Sequence, residues 1–190
     1  SGNISMTYTP MVYTARLVKK EHPNCKVVFV GPCAAKKLEA MQDDIRTDVD
    51  FVLTYEELMG IFEAKEIDFS QISAGEDLQA GTKAGRGFAV AGGVADAVAK
   101  LIEKEHPEAT VKTQRADGLR ECRKLLMLAK AGKLDGYLLE GMACPGGCVA
   151  GAGTVIPSDM AAKKLALHMA QAKGTLSDES PYSDMAEKLD

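Results

Sequence analysis

Short apolar runs alternate with longer amphipathic stretches along this chain. Residues 26–30 and 50–53 are brief, rich in β-branched side chains and bounded by polar or turn residues, which predicts two buried strands. Residues 11–21 carry apolar side chains at helical spacing. Thr54, with Glu57 three residues later, predicts a capping box at the start of a helix that runs to about residue 65.

The second half of the chain repeats this alternation. The remaining predicted elements are a polar loop at 68–87, a helix at 89–105, a strand at 110–114, a helix at 119–131, a strand at 135–140 and a last helix, capped by Ser158, to about 172. Alternation of this kind predicts an α/β fold with mainly parallel strands. We expect residues 1–173 to form the folded part and residues 174–190 a loosely packed or disordered tail.

Composition narrows the function classes. The 190 residues are 46% hydrophobic, enough for one sizeable core or two small lobes. A net charge of −4 argues against a nucleic-acid-binding surface. No apolar run reaches the roughly 18 residues of a membrane span, and no secretory signal is recognisable, so we expect a cytoplasmic protein without membrane contact. Five cysteines fit reduced thiols and metal binding better than a disulfide framework.

Three of these cysteines lie in glycine- and proline-containing segments directly after predicted strands. Cys33 follows Gly31-Pro32, and Cys144 and Cys148 enclose Pro145-Gly146-Gly147. Open α/β sheets carry their ligand sites at the carboxyl ends of strands, so we expect the three thiols to converge. Thiolates are soft ligands that favour iron–sulfur clusters or zinc. Two cysteines in an ordinary turn are the alternative explanation.

The other candidate ligands are less well placed. Cys25 precedes its strand, and Cys122 lies within an amphipathic helix, where a small buried hydrophobe is the usual role. The three histidines lie on predicted helices or at their ends without paired spacing, which is typical of surface residues. The segment 81–87 lacks the third glycine and the Gly-Lys-Ser/Thr of a phosphate loop. An iron–sulfur site built from this chain is therefore one thiol short of four.

These segments resemble a known family. Residues 32–39 (Pro-Cys-Ala-Ala-Lys-Lys-Leu-Glu) and 140–148 (Glu-Gly-Met-Ala-Cys-Pro-Gly-Gly-Cys) are similar to the second and third motifs of the iron-only ([FeFe]) hydrogenase catalytic domain. Residues 48–54 and 87–94 resemble segments between those motifs, and residues 9–11 resemble the segment after the first motif. The resemblance covers most of residues 9–155.

The resemblance implies a cofactor and roles for individual residues. The family's H-cluster joins a [4Fe–4S] unit to a two-iron unit with carbon monoxide and cyanide ligands, and it catalyses 2H⁺ + 2e⁻ ⇌ H₂. The implied iron ligands are Cys33, Cys144 and Cys148, with Cys148 bridging the two units. Further implied site residues are Lys36, which donates to a cyanide, Met142, which packs beside the two-iron unit, Glu39, which anchors the lysine region, and Thr9, which stands for a serine on the proton path.

The chain also departs from the family pattern. Gly31 replaces a usual methionine, Gly141 a usual bulky residue, and Ala152 interrupts a glycine run. These differences resemble a divergent, sensory-type branch. The family's first motif, with the fourth cysteine ligand, is expected upstream of Ser1, so the chain resembles the C-terminal part of the catalytic domain.

The resemblance further implies partners and leaves the function class open. The implied partners are the upstream part of the same polypeptide and a ferredoxin-like electron carrier. We expect that the chain alone holds at most a partial cluster, and that apolar surface left uncovered drives self-association, such as a homodimer. The alternatives to a hydrogenase are a non-catalytic iron–sulfur module for redox or hydrogen sensing, and an iron–sulfur assembly module.

Overall fold

Parallel strand pairs organise the part of the chain that the computed structural model describes, residues 2–73, 75 and 80–188. Within it, β1 (Val28–Gly31) pairs with β2 (Phe51–Thr54), and β3 (Lys112–Asp117) pairs with β4 (Tyr137–Met142). Parallel neighbours need a crossover connection, and each pair has one that contains a helix. The predicted α/β class with mainly parallel strands is confirmed.

Helices flank both strand pairs. The helices of the described residues are α1 (Pro10–Glu21), α2 (Ala35–Ala40), α3 (Tyr55–Ala64), α4 (Lys83–Arg86), α5 (Gly93–Glu105), α6 (Leu119–Lys130) and α7 (Ser158–Ala170). Short 3-10 turns lie at Phe69–Gln71, Gly87–Ala89, Cys148–Ala150, Ser177–Glu179 and Ser183–Lys188. None of these helices is both long and apolar enough to cross a bilayer.

The first strand pair is covered by α1. Pro10 stands in the first turn, where its missing N–H costs nothing. Met11, Val12 and Ala15 are buried on one face of the helix and pack with Ile45 and Val49. The helical spacing predicted at 11–21 is therefore confirmed, and it places Thr9 at the start of α1.

The turn from β2 into α3 follows the predicted capping box. The Thr54 hydroxyl accepts from the Glu57 N–H at 3.2 Å, and the Glu57 carboxylate accepts from the Thr54 N–H at 2.9 Å. Two N–H groups that would lack helical partners are thereby satisfied. This prediction is confirmed, and α3 ends within one residue of the expected position.

Strand ends differ from the predicted ones by one to three residues. Each strand begins and ends where its partner's hydrogen bonds begin and end, and that pairing is not visible in a local apolar pattern. The strand predicted at 110–114 lies at Lys112–Asp117, and the strand predicted at 135–140 lies at Tyr137–Met142. The later ends bring Asp117 and Met142 into the sheet.

Three helix predictions were wrong in detail. The predicted loop 68–87 contains α4, which is too short to show periodicity and which the Thr82 hydroxyl caps at the Gly85 N–H; residues 74 and 76–79 of that loop lie outside the described residues. The helix predicted from residue 89 begins at Gly93, after a turn at Gly92. Ser158 is the first residue of α7, and Pro157 takes the capping position without a side-chain bond.

The start of the C-terminal segment makes defined contacts. Leu176 is buried, and Lys83 and Ala84 donate their backbone N–H groups to Gly174 and Thr175. Asp178 forms an ion pair with Lys104 of α5. These contacts hold the segment to α4 and α5, while the boundary at residue 173 stays a prediction; residues 189 and 190 lie outside the described residues.

Candidate iron–sulfur site

The three candidate cysteines lie just beyond the carboxyl ends of two strands. Cys33 is two residues past β1, and Cys144 is two residues past β4. Cys148 begins the 3-10 turn that follows. All three side chains are half-buried and none is in a disulfide. The strand-end placement expected from the sequence is therefore present.

The thiol of Cys148 is influenced by both other cysteines. Burial raises the pKa of Cys148, and the nearby Cys33 and Cys144 raise it further, because a negative thiolate disfavours a second one. The Lys36 ammonium acts on the same pKa in the opposite direction. Such influence requires that these groups lie near one another. A cationic metal centre beside Cys148 would favour the thiolate form of this residue.

The positions of the three cysteines do not by themselves show that they bind iron. The described residues contain no group of three or more histidine, cysteine or acidic side chains that could hold a metal ion. In a [4Fe–4S] unit each cysteine binds a different iron, so the ligands need not share one ion. Convergence of Cys33, Cys144 and Cys148 to cluster-ligating distance stays a prediction.

The loop between Cys144 and Cys148 depends on two glycines. Gly146 and Gly147 adopt φ values of +88° and +96°, which L side chains rarely take. A β-carbon on Gly147 would lie 2.5 Å from the Ala91 nitrogen. The Ala91 N–H also donates to the Gly146 carbonyl at 3.1 Å. The cysteine loop therefore lies directly on the backbone before α5.

The residues after Cys148 connect this loop to the Cys33 segment. The Gly153 N–H donates to the Pro32 carbonyl at 2.9 Å. A β-carbon on Gly151 would lie 2.4 Å from the same carbonyl oxygen. Because Pro32 precedes Cys33, these contacts fix the two cysteine segments relative to each other. Only glycine permits so close an approach of two backbones.

A hydrogen-bonded chain leads from the start of α1 to Lys36. The Lys36 ammonium donates to the Glu39 carboxylate at 2.5 Å. The Thr9 hydroxyl donates to the other Glu39 oxygen, also at 2.5 Å. Glu39 therefore fixes the Lys36 side chain and ties it to α1. Catalytic roles for these three residues stay predictions.

Met142 and Cys122 contact each other at the end of β4, whereas Cys25 lies elsewhere. Met142 ends β4, and its carbonyl accepts from the Gly118 N–H at 2.9 Å. Cys122, on α6, contacts the same carbonyl through its thiol at 3.3 Å. Cys25 precedes β1 and so lies beyond the strand end opposite to Cys33.

The histidines do not join the site. His22 and His106 directly follow α1 and α5, and His168 lies in the last turn of α7 beside Arg86. All three are exposed, as the sequence predicted.

Two departures from the hydrogenase pattern have local reasons. A β-carbon on Gly31 would lie 2.7 Å from the Phe29 ring, so Phe29 occupies space that a larger residue would need. A β-carbon on Gly141 would lie 3.3 Å from the Cys122 sulfur. Ala152, by contrast, is exposed, and nothing in the structure explains its identity.

Two carboxylates of this region were not recognised from the sequence. Glu140 is buried in β4 and accepts from the Gly92 and Ala95 N–H groups at 2.6 and 2.7 Å. Asp117 ends β3 and accepts from the Gly146 N–H. A glutamate inside an apolar strand was the available signal, because a buried carboxylate needs partners.

A comparison with family models decides the family. The model described as "Iron only hydrogenase large subunit, C-terminal domain" matches residues 1–152. The chain belongs to this family. The resemblance noted in the two cysteine motifs is thereby confirmed for most of the chain.

The curated relatives of this chain include hydrogenases and iron–sulfur assembly proteins. The periplasmic [Fe] hydrogenase large subunit of Nitratidesulfovibrio vulgaris is 29% identical over 74% of this chain and 41% of its own length. The cytosolic iron-sulfur assembly component 3 of Pongo abelii is 27% identical over 81% of this chain and 40% of its own length. The chain thus spans about two fifths of the length of these relatives.

Solved structures agree with the family at the level of the fold. The [FeFe]-hydrogenase HydA1 from Chlamydomonas reinhardtii matches with a TM-score of 0.65 at 19% identity, over 97% of this chain and 64% of that chain. At this identity the match supports the fold alone. The α/β arrangement around the cysteine loops is therefore that of an [FeFe]-hydrogenase catalytic domain.

Proposed function

We propose that this chain supplies three cysteine ligands, Cys33, Cys144 and Cys148, to an iron–sulfur cluster of the hydrogenase type. The observation that carries the proposal is that the three cysteines lie just past β1 and β4, in two segments that the hydrogen bond from Gly153 to Pro32 joins. Thiolate is the ligand that iron–sulfur clusters use, and positively charged iron relieves the repulsion between three thiolates. Membership of the iron-only hydrogenase family supports the same assignment.

The surrounding residues suit a cluster with anionic ligands. When bound, an H-cluster would supply the electron and hydride chemistry of 2H⁺ + 2e⁻ ⇌ H₂. Lys36 offers three N–H donors, and Glu39 accepts one of them and fixes the direction of the side chain. Met142, the last residue of β4, offers an apolar, polarisable side chain. Thr9 and Glu39 form a short hydroxyl–carboxylate link through which a proton can move.

A second candidate function is a non-catalytic iron–sulfur module for sensing or cluster assembly. The match to the assembly component of Pongo abelii spans 81% of this chain, more than the 74% of the periplasmic hydrogenase match. The chain also has Gly31, with the Phe29 ring beside it, at the position where the hydrogenase pattern has a methionine. A [4Fe–4S] unit without the two-iron unit fits this second function.

One experiment separates the two functions. The full polypeptide encoded by the gene is matured under anaerobic conditions, and its iron, sulfide and infrared spectrum are measured. Carbon monoxide and cyanide bands support the hydrogenase function, whereas iron and sulfide for one cubane without those bands support the sensing or assembly function. A protein without bound iron and sulfide contradicts both.

The cellular context is proposed on similar grounds. We propose an electron carrier of the ferredoxin type as partner and the cytoplasm as location; the names of the relatives include both periplasmic and cytosolic proteins, so the family alone does not decide the compartment.

Exposed apolar side chains near the first strand pair indicate a surface that another protein segment covers. Leu38, Met41 and Phe51 are 71%, 71% and 60% exposed. We propose that another part of the same polypeptide, or a second copy of the chain, covers them. Light scattering over a concentration series tests this for the 190-residue chain: self-association supports it, and a monomer at high concentration that binds no apolar dye contradicts it.

A further inference from the structure

Glu140 is a buried carboxylate that the proposed chemistry does not use. Only 9% of the residue is exposed, although it lies in β4, where its neighbours in the strand are mainly apolar or glycine. Its two oxygens accept from the Gly92 N–H at 2.6 Å and the Ala95 N–H at 2.7 Å. Both donors belong to the start of α5, where helical N–H groups have no partner within the helix.

The start of α5 depends on this contact because it has no capping side chain of its own. Gly92 precedes the helix at φ +94° and offers only backbone. A carboxylate at a helix N-terminus satisfies the free N–H groups and faces the positive end of the helix dipole. Glu140 therefore joins β4 to α5 across 48 residues of sequence.

The segment that Glu140 holds is the surface on which the cysteine loop lies. Ala91, next to Gly92, donates its N–H to Gly146, and Gly147 packs against the Ala91 nitrogen. On the other side of the loop, the Asp117 carboxylate accepts the Gly146 N–H. The turn between Cys144 and Cys148 therefore has two supports. Asp117 contacts it directly, and Glu140 holds the backbone on which it lies.

We propose that Glu140 and Asp117 are positioning residues that hold the Cys144–Cys148 loop in its ligating conformation. Glu140 acts indirectly, through the start of α5, and Asp117 acts directly on the loop backbone. The positioning role rests on the contacts of the loop, and only its purpose, presenting thiols to iron, rests on the proposed function.

The test measures the loop without a cluster. In the full polypeptide stripped of metal, the alkylation rate of each cysteine by iodoacetamide is followed by mass spectrometry for Glu140→Gln and Asp117→Asn. Each amide keeps the shape of the carboxylate but loses its charge. We expect alkylation of Cys144 to accelerate roughly tenfold or more, as loss of a charge-assisted hydrogen bond implies, with Cys25 unchanged. Cys148 is left out of this comparison because the Glu140 charge also raises the pKa of the Cys148 thiol directly.

Two further measurements separate positioning from general loss of stability. Leu125→Ala removes a buried side chain of α6, a helix outside the Cys144–Cys148 loop, and lowers stability. The variants are compared at equal free energy of unfolding. We then expect Leu125→Ala to leave the ratio of the Cys144 alkylation rate to the Cys25 alkylation rate at its value in the parent. Amide hydrogen exchange at Gly92 and Ala95 should accelerate in Glu140→Gln and not in Asp117→Asn.

The results that would overturn the positioning role differ from those that would overturn the proposed function. Unchanged Cys144 alkylation in the folded variants, or a rise equal to that in Leu125→Ala, overturns the positioning role. If Glu140→Gln does not fold, Asp117→Asn decides by the same criterion. A parent protein that never binds iron refutes the proposed function, while selective Cys144 alkylation in the variants still supports the positioning role.

Discussion

Gly147 lies directly against Ala91, so that a β-carbon on Gly147 would be 2.5 Å from the Ala91 nitrogen. This contact joins the cysteine loop to the segment before α5. It also explains why a glycine with φ of +96° stands immediately before Cys148. The position of that thiol depends on two backbones that meet without an intervening side chain.

Replacing Gly147 should therefore cost more than replacing its neighbour. Gly147→Ala adds both an unfavourable φ and a clash with backbone atoms, whereas Gly146→Ala, at φ +88°, adds only the unfavourable φ because nothing lies within 4 Å of its β-carbon. We expect about 1–2 kcal/mol of destabilisation for Gly146→Ala and roughly 1–3 kcal/mol more for Gly147→Ala. Urea unfolding measures both, and equal losses would contradict the contact.

The contact between Gly151 and Pro32 predicts a second steric effect. A β-carbon on Gly151 would meet the Pro32 carbonyl oxygen at 2.4 Å, and a backbone carbonyl cannot rotate away as a side chain can. We expect Gly151→Ala to destabilise the protein by about 1–3 kcal/mol and to lower its iron content after reconstitution. Ala152→Ser, at the exposed neighbour, should change stability by less than about 0.5 kcal/mol. Similar values for the two variants would argue against a link between the cysteine segments.

Lys36 and Lys37 offer a matched pair for the proposed chemistry. Lys36 is held by Glu39 near Cys148, whereas Lys37 donates to Glu57 at 2.8 Å. We expect Lys36→Met to lower hydrogen evolution by the matured full polypeptide roughly 10- to 100-fold, as loss of a group supporting a metal site does. Lys37→Met should retain the parent activity. Equal activities of the two variants would contradict the proposed role of Lys36 in the site.

Asp50 predicts a pH-dependent contribution to stability. Lys19 and Lys26 contact its carboxylate at 2.8 and 2.9 Å, and the Val27 N–H donates to it at 2.9 Å. The pKa of Asp50 is held well below its ordinary value, chiefly by Lys19. A depressed folded-state pKa gives stability that is fully present above the unfolded pKa of about 4 and is lost as the pH falls towards the folded pKa.

The matching experiment compares Asp50→Asn with the parent by urea unfolding. We expect the variant to be less stable at about pH 7, with the difference shrinking below about pH 4. Asp43→Asn is the control, since its side chain is 97% exposed and pairs with Arg46 at 3.3 Å. A difference for Asp50→Asn that stays constant over this pH range would mean that its charge is not the cause.

Features set by neighbouring residues were predictable from the sequence. The Thr54–Glu57 capping box lies within four residues, and both its bonds are present. The positions of Cys33 and Cys144 after strands followed from short apolar runs, the first of which is closed by Gly31-Pro32. These signals involve residues that are close in sequence, so they can be read without knowing the contacts of distant residues.

Features that depend on distant parts of the chain were not predictable in this way. The bond from Gly92 to Glu140 spans 48 residues, and neither residue alone shows that it needs the other. The start of α5 at Gly93 was missed for the same reason, since its N–H groups are satisfied from β4. The four-residue helix α4 was missed because it completes hardly more than one turn.

The most direct test of the central claim replaces each of the five cysteines by serine in turn in the full polypeptide. Iron and acid-labile sulfide are measured after anaerobic maturation. We expect large losses of both for Cys33→Ser, Cys144→Ser and Cys148→Ser, and contents near those of the parent for Cys25→Ser and Cys122→Ser. Iron and sulfide that persist in any of the first three variants at the parent's level, or that disappear equally in all five, would contradict a cluster held by Cys33, Cys144 and Cys148.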